Sequence, residues 1–128
     1  MTQEQEVRDA LEKGGVADIT TTGRKTGLPR RIEIYFHNID DDLILTGRPV
    51  GKRDWEANIK AEPRFTLHLT KGPIADVEVV GEVVSDPDER TRLIRKALVE
   101  SWGHPPEKAD QDLPVWVDIS PLVRFRLV

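Results

Sequence analysis

The sequence predicts a mainly β fold, a closed antiparallel barrel of about six to seven short strands with helices at its periphery. Three observations carry that expectation. Apolar and polar residues alternate over short runs, most clearly where Ile32, Ile34 and Phe36 interleave with Arg31, Glu33 and Tyr35. Turn chemistry punctuates these runs at Asp40-Asp41-Asp42, Lys71-Gly72-Pro73 and Ser120-Pro121. Helical periodicity is confined to three stretches, and neither a repeat nor a low-complexity tract interrupts the pattern.

Thr2 and Gln5 form a capping-box pattern, Val7, Ala10 and Leu11 share one face, and Gly14-Gly15 stops the helix expected within residues 1–15. Residues 16–22 and Arg30 to Phe36 read as strands, and Leu43-Ile44-Leu45 as the return arm of a hairpin after the aspartates. Asp54 is the expected cap of a short helix over 54–61 in which Trp55 and Ile59 lie one turn apart, and Pro63 forces the exit. Phe65, Leu67 and Leu69 alternate in the next strand. Residues 75–84 form a longer one with Val77, Val79 and Val83 on one face, and Gly81 within it predicts a bulge or bend. Asp86-Pro87-Asp88-Glu89 opens a helix over 86–103: Asp86 can cap, proline suits the first position, and the acids suit the positive end of the helix dipole. Ile94, Leu98 and Trp102 recur on its buried face, and Gly103 ends it. Residues 104–113 read as a polar, proline-rich loop, and Val115 to Ile119 and Val123 to Leu127 as the last strands. All of this fits one domain over 1–128, with barrel strands in 16–85 and 114–128.

Composition narrows the function classes. Cysteine is absent, so neither disulfides nor a thiol nucleophile are available. No apolar run approaches the roughly 20 residues that span a bilayer, and the Gln- and Glu-rich start is unlike a secretory signal, so a cytoplasmic protein is expected. The net charge of −4 hides an asymmetry: residues 24–53 hold seven of the 19 Lys and Arg against four acids, whereas residues 76–112 hold ten acids against five bases. A locally cationic patch on an acidic body suits a discrete anionic ligand and not nucleic acid, which is met by domains that are basic overall.

That patch centres on Thr20-Thr21-Thr22-Gly23-Arg24-Lys25-Thr26-Gly27-Leu28-Pro29-Arg30-Arg31, set between two expected strands. Gly23 and Gly27 can take positive φ and let backbone N–H groups approach a ligand, while the four cations bring charge to it, so the segment reads as an anion-binding turn for a phosphorylated small molecule. Strand alternation sends Arg30 and Arg31 to opposite faces.

The block Thr21-Thr22-Gly23-Arg24-Lys25-Thr26-Gly27 with Pro29-Arg30 resembles the signature of the deazaflavin-dependent nitroreductase family. A second block, Leu45-Thr46-Gly47-Arg48 followed by Asp54-Trp55-Glu56-Ala57-Asn58-Ile59-Lys60-Ala61-Glu62-Pro63, resembles that family's small-residue turn and tryptophan-bearing helix. The resemblance implies a split β-barrel of the FMN-binding type, an oxidoreductase using coenzyme F420, and hydride transfer to a small organic acceptor such as a quinone, enone or nitro compound. It further implies that Lys25 and Arg30 touch the cofactor tail, that Thr46, Gly47 and Arg48 contact the ring and its chain, and that Trp55 stands near the cofactor. Lys52 would extend the anionic site, and Asn58 would either join it or hold the loop by hydrogen bonds to backbone. Related split barrels commonly pair, so a homodimer is expected. FMN is the alternative cofactor, and a non-catalytic carrier with the same pocket is the alternative from outside enzymology.

Other chemistries find little support. His37, His68 and His104 lack metal-ligand spacing, no G-x-S-x-G elbow surrounds Ser85, Ser101 or Ser120, and no Rossmann or P-loop glycine pattern occurs. No catalytic acid or base is assigned, and hydride transfer needs none, because the cofactor carries the difficult step. The nitroreductase relatives place aromatic hydroxyls before the final strands, where this chain has no tyrosine. Residues 104–111 read either as an exposed connector or as a rim, and if they form a rim, Trp102 or His104 must take over contact with the substrate.

Overall fold

The computed structural model describes residues 2–50 and 53–128. Six strands, β1 (Gly15–Thr22), β2 (Pro29–Ile39), β3 (Asp42–Thr46), β4 (Arg64–Leu69), β5 (Ala75–Val83) and β6 (Leu122–Leu127), close into an antiparallel barrel in the order β1-β2-β3-β6-β5-β4. Four helices surround it: α1 (Gln3–Lys13), α2 (Asp54–Ala61), α3 (Pro87–Lys96) and α4 (Pro106–Ile119). No helix among the described residues is long and apolar enough to cross a membrane.

Local chemistry sets most boundaries. Thr2 caps α1 through a hydrogen bond from the Gln5 N–H, and Gly14, at φ 72°, ends it. Asp40 and Asp41 both take positive φ in the hairpin between β2 and β3, and the Asn38 side chain accepts from the Asp41 N–H to hold that turn. Asp86 caps α3 with Pro87 at the first helical position, as its sequence requires. Arg53 and not Asp54 precedes α2; Asp54 is the helix's first residue.

Strand alternation builds two apolar layers. Ala17, Ile19, Phe36, Leu45, Phe65, Leu67, Val79, Val123 and Phe125 face the barrel interior, closed by Trp55 and Ile59 of α2. On the opposite face of β2, β3 and β6, residues Ile39, Ile44 and Leu122 pack under Leu93, Ile94, Leu98 and Ala109. Each large aliphatic side chain buried in this way contributes about 1.5–3 kcal/mol.

Three expectations are corrected. Residues 104–113 are not an extended loop, nor Val115–Ile119 a strand: from Pro106 onward the chain is α4, so the barrel has six strands. The alternation of Val115, Val117 and Ile119 is overridden by helical spacing, because Ala109, Leu113, Trp116 and Val117 form one face against α3, with Pro114 accommodated inside the helix. The helix expected over 86–103 is regular only to Lys96 and continues as a π-helical turn over Ala97–Ser101, which Gly103, at φ 68°, terminates. Gly81 is not a bulge. Its strand keeps one-to-one register with β6, and an added Cβ would lie 2.9 Å from Val123 Cγ1, 3.0 Å from Phe65 Cε1 and 3.1 Å from Ile59 Cγ2. The glycine stands where side chains of β4, β6 and α2 meet in the interior and leave no room for a Cβ.

Candidate functional site

Across the β1–β2 hairpin, Thr21 pairs with Arg30 and Ile19 with Ile32. All four belong to the interior-facing register, yet Ile32 is 38% exposed: β3 pairs with β2 only from Phe36 onward and leaves the start of β2 without a neighbour on that edge. The result is a cleft of about 390 Å³ whose walls are the end of β1, the start of β2, the connecting loop and α2. Such a concave, partly apolar site with a few convergent polar groups is the usual form of a small-molecule site.

The loop from Gly23 to Leu28 is folded back on itself. The Gly23 N–H donates to the Leu28 carbonyl at 2.8 Å, the Gly27 N–H donates to the Gly23 carbonyl at 2.7 Å, and the Leu28 N–H donates to Thr26 Oγ1 at 3.2 Å. Gly27 takes the left-handed conformation at φ 72°, as expected of a turn glycine, but Gly23 does not. Gly23 is required for space: a Cβ there would meet Thr26 Oγ1 at 2.8 Å and the Leu28 carbonyl at 3.1 Å.

Asn58 fixes this loop to α2. It is 3% exposed, its Nδ2 donates to Thr21 Oγ1 at 3.2 Å, and its Oδ1 accepts from the Arg24 backbone N–H and from Arg24 Nη1, both at 3.1 Å. A buried amide with its hydrogen bonds made is a positioning group, so of the two roles open to Asn58 in the sequence, loop anchoring is the one its hydrogen bonds perform.

The structure brings Lys25, Arg30, Trp55 and Asn58 together in one cleft. Lys25 and Arg30 supply cations, and among the described residues neither makes an ion pair. Trp55, 8% exposed, and Ile32 supply apolar wall. Arg31 points to the outer face, where its Nε donates to Asp18 at 2.9 Å, as alternation requires. Thr46, Gly47 and Arg48 are not among the residues lining the cleft. The Thr46 hydroxyl donates to the Pro121 carbonyl at 2.6 Å, and Arg53 clamps the segment by donating to the carbonyls of Val50 at 2.6 Å and Arg48 at 3.0 Å. Gly47 makes room for that guanidinium, which lies 3.3 Å from where its Cβ would stand. Lys52 lies outside the described residues.

Trp102 and His104 do not line the cleft either. Trp102 packs edge-on against His37, centroids 4.8 Å apart, and against Trp116 at 5.4 Å, inside the helical layer. Trp102 is thus held in the packing of the helical layer and does not reach the cleft. Sequence reasoning missed Thr21, Ile32 and Asp54 as cleft residues. The hairpin register places Thr21 opposite Arg30 and Ile32 two residues further along the same face, and Asp54 stands one residue before the tryptophan.

Residues 1–120 match the family described as F420H(2)-dependent quinone reductase. The chain belongs to that family. Solved structures share its fold at low identity, which carries architecture alone. The conserved hypothetical protein Rv2991 from Mycobacterium tuberculosis matches at TM-score 0.77 and 19% identity, over 99% of this chain and 81% of that one. An F420-H2 dependent reductase, FDR-A, matches at TM-score 0.57 and 18% identity, over 86% and 93%. The heme storage protein HutZ from Vibrio cholerae matches at TM-score 0.67 and 13% identity, over 100% and 92%. The same barrel thus occurs in an F420-H2 dependent reductase and in a heme storage protein.

Proposed function

We propose that this member of the F420H2-dependent reductase family is an oxidoreductase that binds coenzyme F420 in the cleft between β2 and α2. The observation that carries the reading is the convergence there of Lys25 and Arg30, uncompensated among the described residues, with the apolar wall of Ile32 and Trp55. The donor set suits an elongated group with an anionic tail and a flat ring: cations for phosphate and carboxylate, apolar surface for the ring. FMN, which also presents a phosphate, is the alternative ligand.

When bound, the coenzyme supplies hydride chemistry that no side chain of this protein can perform. The protein's own part is orientation. Lys25 and Arg30 hold the tail, Asn58 keeps the loop carrying Arg24 and Lys25 at a fixed distance from α2, and Trp55 and Ile32 exclude water from one face. Thr46, Gly47, Arg48 and Lys52 complete the expected contact set, and Arg53, just before α2, donates to the carbonyls of Arg48 and Val50. The acceptor class is small and organic, with quinones, enones and nitro compounds as candidates.

Titration of oxidised F420 against the protein, followed by fluorescence, should show saturable binding that weakens with added salt. Reduced F420 supplied with a panel of quinones, enones and nitro compounds should then be oxidised at an enzyme-dependent rate. Binding without turnover against any acceptor would favour the carrier reading, for which HutZ, a heme storage protein on the same barrel, is the precedent. Absence of binding would reject the assignment.

A further inference from the structure

Of the three cations lining the cleft, Arg24 is the one already engaged. Its two partners are unlike each other. Asn58 is neutral, buried and held by Thr21, so its bond to Nη1 belongs to the fixed frame of the site. Asp54 is charged and exposed, with 90% of its side chain in solvent, and it meets both Nη1 and Nη2 through a single oxygen at 3.4 Å. That contact is long and screened, whereas a phosphate or carboxylate entering the cleft can offer a guanidinium two oxygens at shorter range. Arg24 itself is one-third exposed, so its outer edge is open to exchange.

We infer that Asp54 is an exchangeable counter-ion for Arg24, displaced when an anionic ligand enters, and that it sets the affinity of the cleft for anions. This rests on the anion-binding reading given above. With Asp54 in place the lining carries Arg24, Lys25 and Arg30 against one carboxylate, and ligand entry exchanges one ion pair for another instead of creating a new one. Part of the attraction is therefore spent in advance, which keeps the loop ordered before binding and the ligand releasable after it. Asp54 acts through Arg24 and is a positioning residue.

Four proteins test this: the natural chain, Asp54→Asn, Arg24→Gln and the double variant, each titrated with oxidised F420 at low salt. Asp54→Asn should bind about two- to fivefold more tightly, the scale of an exposed pair. Arg24→Gln should bind more weakly, and in its background Asp54→Asn should lose most of its gain. Unchanged or weaker binding by Asp54→Asn, repeated with Asp54→Ala to separate charge from helix-start effects, would overturn the inference. An equal gain in both backgrounds would overturn it too, since the carboxylate would then act by its field alone and not through Arg24. If the natural chain binds no F420, it is the proposed function that fails. The same four proteins titrated with inorganic phosphate, followed by tryptophan fluorescence, then test the exchange on its own, with the same order of affinities required.

Discussion

His37 shows how much a single residue can be asked to bear. It is 1% exposed on the outer face of β2, wedged between Tyr35 and Trp102, and neither ring nitrogen has a hydrogen-bond partner among the described residues. Burial pushes its pKa down from 6.5 to about 4. The sign of the linkage follows. Above pH 6.5 the ring is neutral in both folded and unfolded chains; between 6.5 and about 4 only the unfolded chain takes up the proton; below that both do. Stability should therefore fall as pH drops through this window, by an amount on the order of 3 kcal/mol. Urea denaturation at pH 7, 5.5 and 4.5 should show that decline, and His37→Leu should flatten it. An unchanged slope in the variant would place the acid sensitivity elsewhere. At the cleft, Lys25→Ala and Arg30→Ala should each weaken F420 binding by about 1–3 kcal/mol, the scale of a lost charge-assisted contact. Isothermal titration on folded variants checks this, and unchanged affinity in both would remove the anion-site assignment.

Elements were legible in the sequence where one signal spoke alone. The hairpins, the caps of α1 and α3 and the alternation in β1, β2 and β4 follow from local chemistry, and the loop carrying Arg24 and Lys25 was legible because charge, glycine and hydroxyl residues coincide there. Helix α4 was not, because its valines carry a period of two as well as a helical face, and its prolines mimic a loop; only packing against α3 decides between them. The role of Gly81 was equally hidden, since crowding by side chains of β4, β6 and α2 is a tertiary fact. It makes a sharp prediction at this scale. Gly81→Ala should destabilise the protein by about 1–3 kcal/mol, as Val123, Phe65 and Ile59 must all yield to one methyl group in a filled interior. Thermal melts would register this, whereas Gly72→Ala, at a turn where a Cβ meets nothing within 4 Å, should lose stability only through its backbone conformation, φ 76°.

At the scale of the whole molecule, the unevenness of the barrel's cover matters most. The outer face of β2, β3 and β6 lies under α3 and α4, and Arg90 rivets that layer by donating to the carbonyls of Val84 at 2.9 Å, Val117 at 2.8 Å and Ser120 at 2.6 Å. Around it, Arg92 and Arg124 share Asp42 and Glu89, and hydrogen bonds to the two guanidiniums hold the Glu89 carboxyl below the usual carboxylate range. Next to it, the outer face of β1 and the first part of β2 has no such layer among the described residues. Val16 and Tyr35, cross-strand partners in β1 and β2, stand 37% and 38% exposed, and Leu28 beside the cleft is 60% exposed. Apolar strand surface left open in this way is commonly covered by a second copy, and the two-fold pairing expected from the sequence has its best surface here. Sedimentation or light scattering at micromolar concentration should therefore give twice the 14.5 kDa chain mass. Tyr35→Glu, which places a charge at the centre of that surface without touching the cleft, should shift the mass toward a single chain. A single-chain mass for the natural protein would mean that the β1–β2 face stays in solvent, and a dimer indifferent to Tyr35→Glu would move the interface to another face, such as that of Val115 and Ile119 on α4.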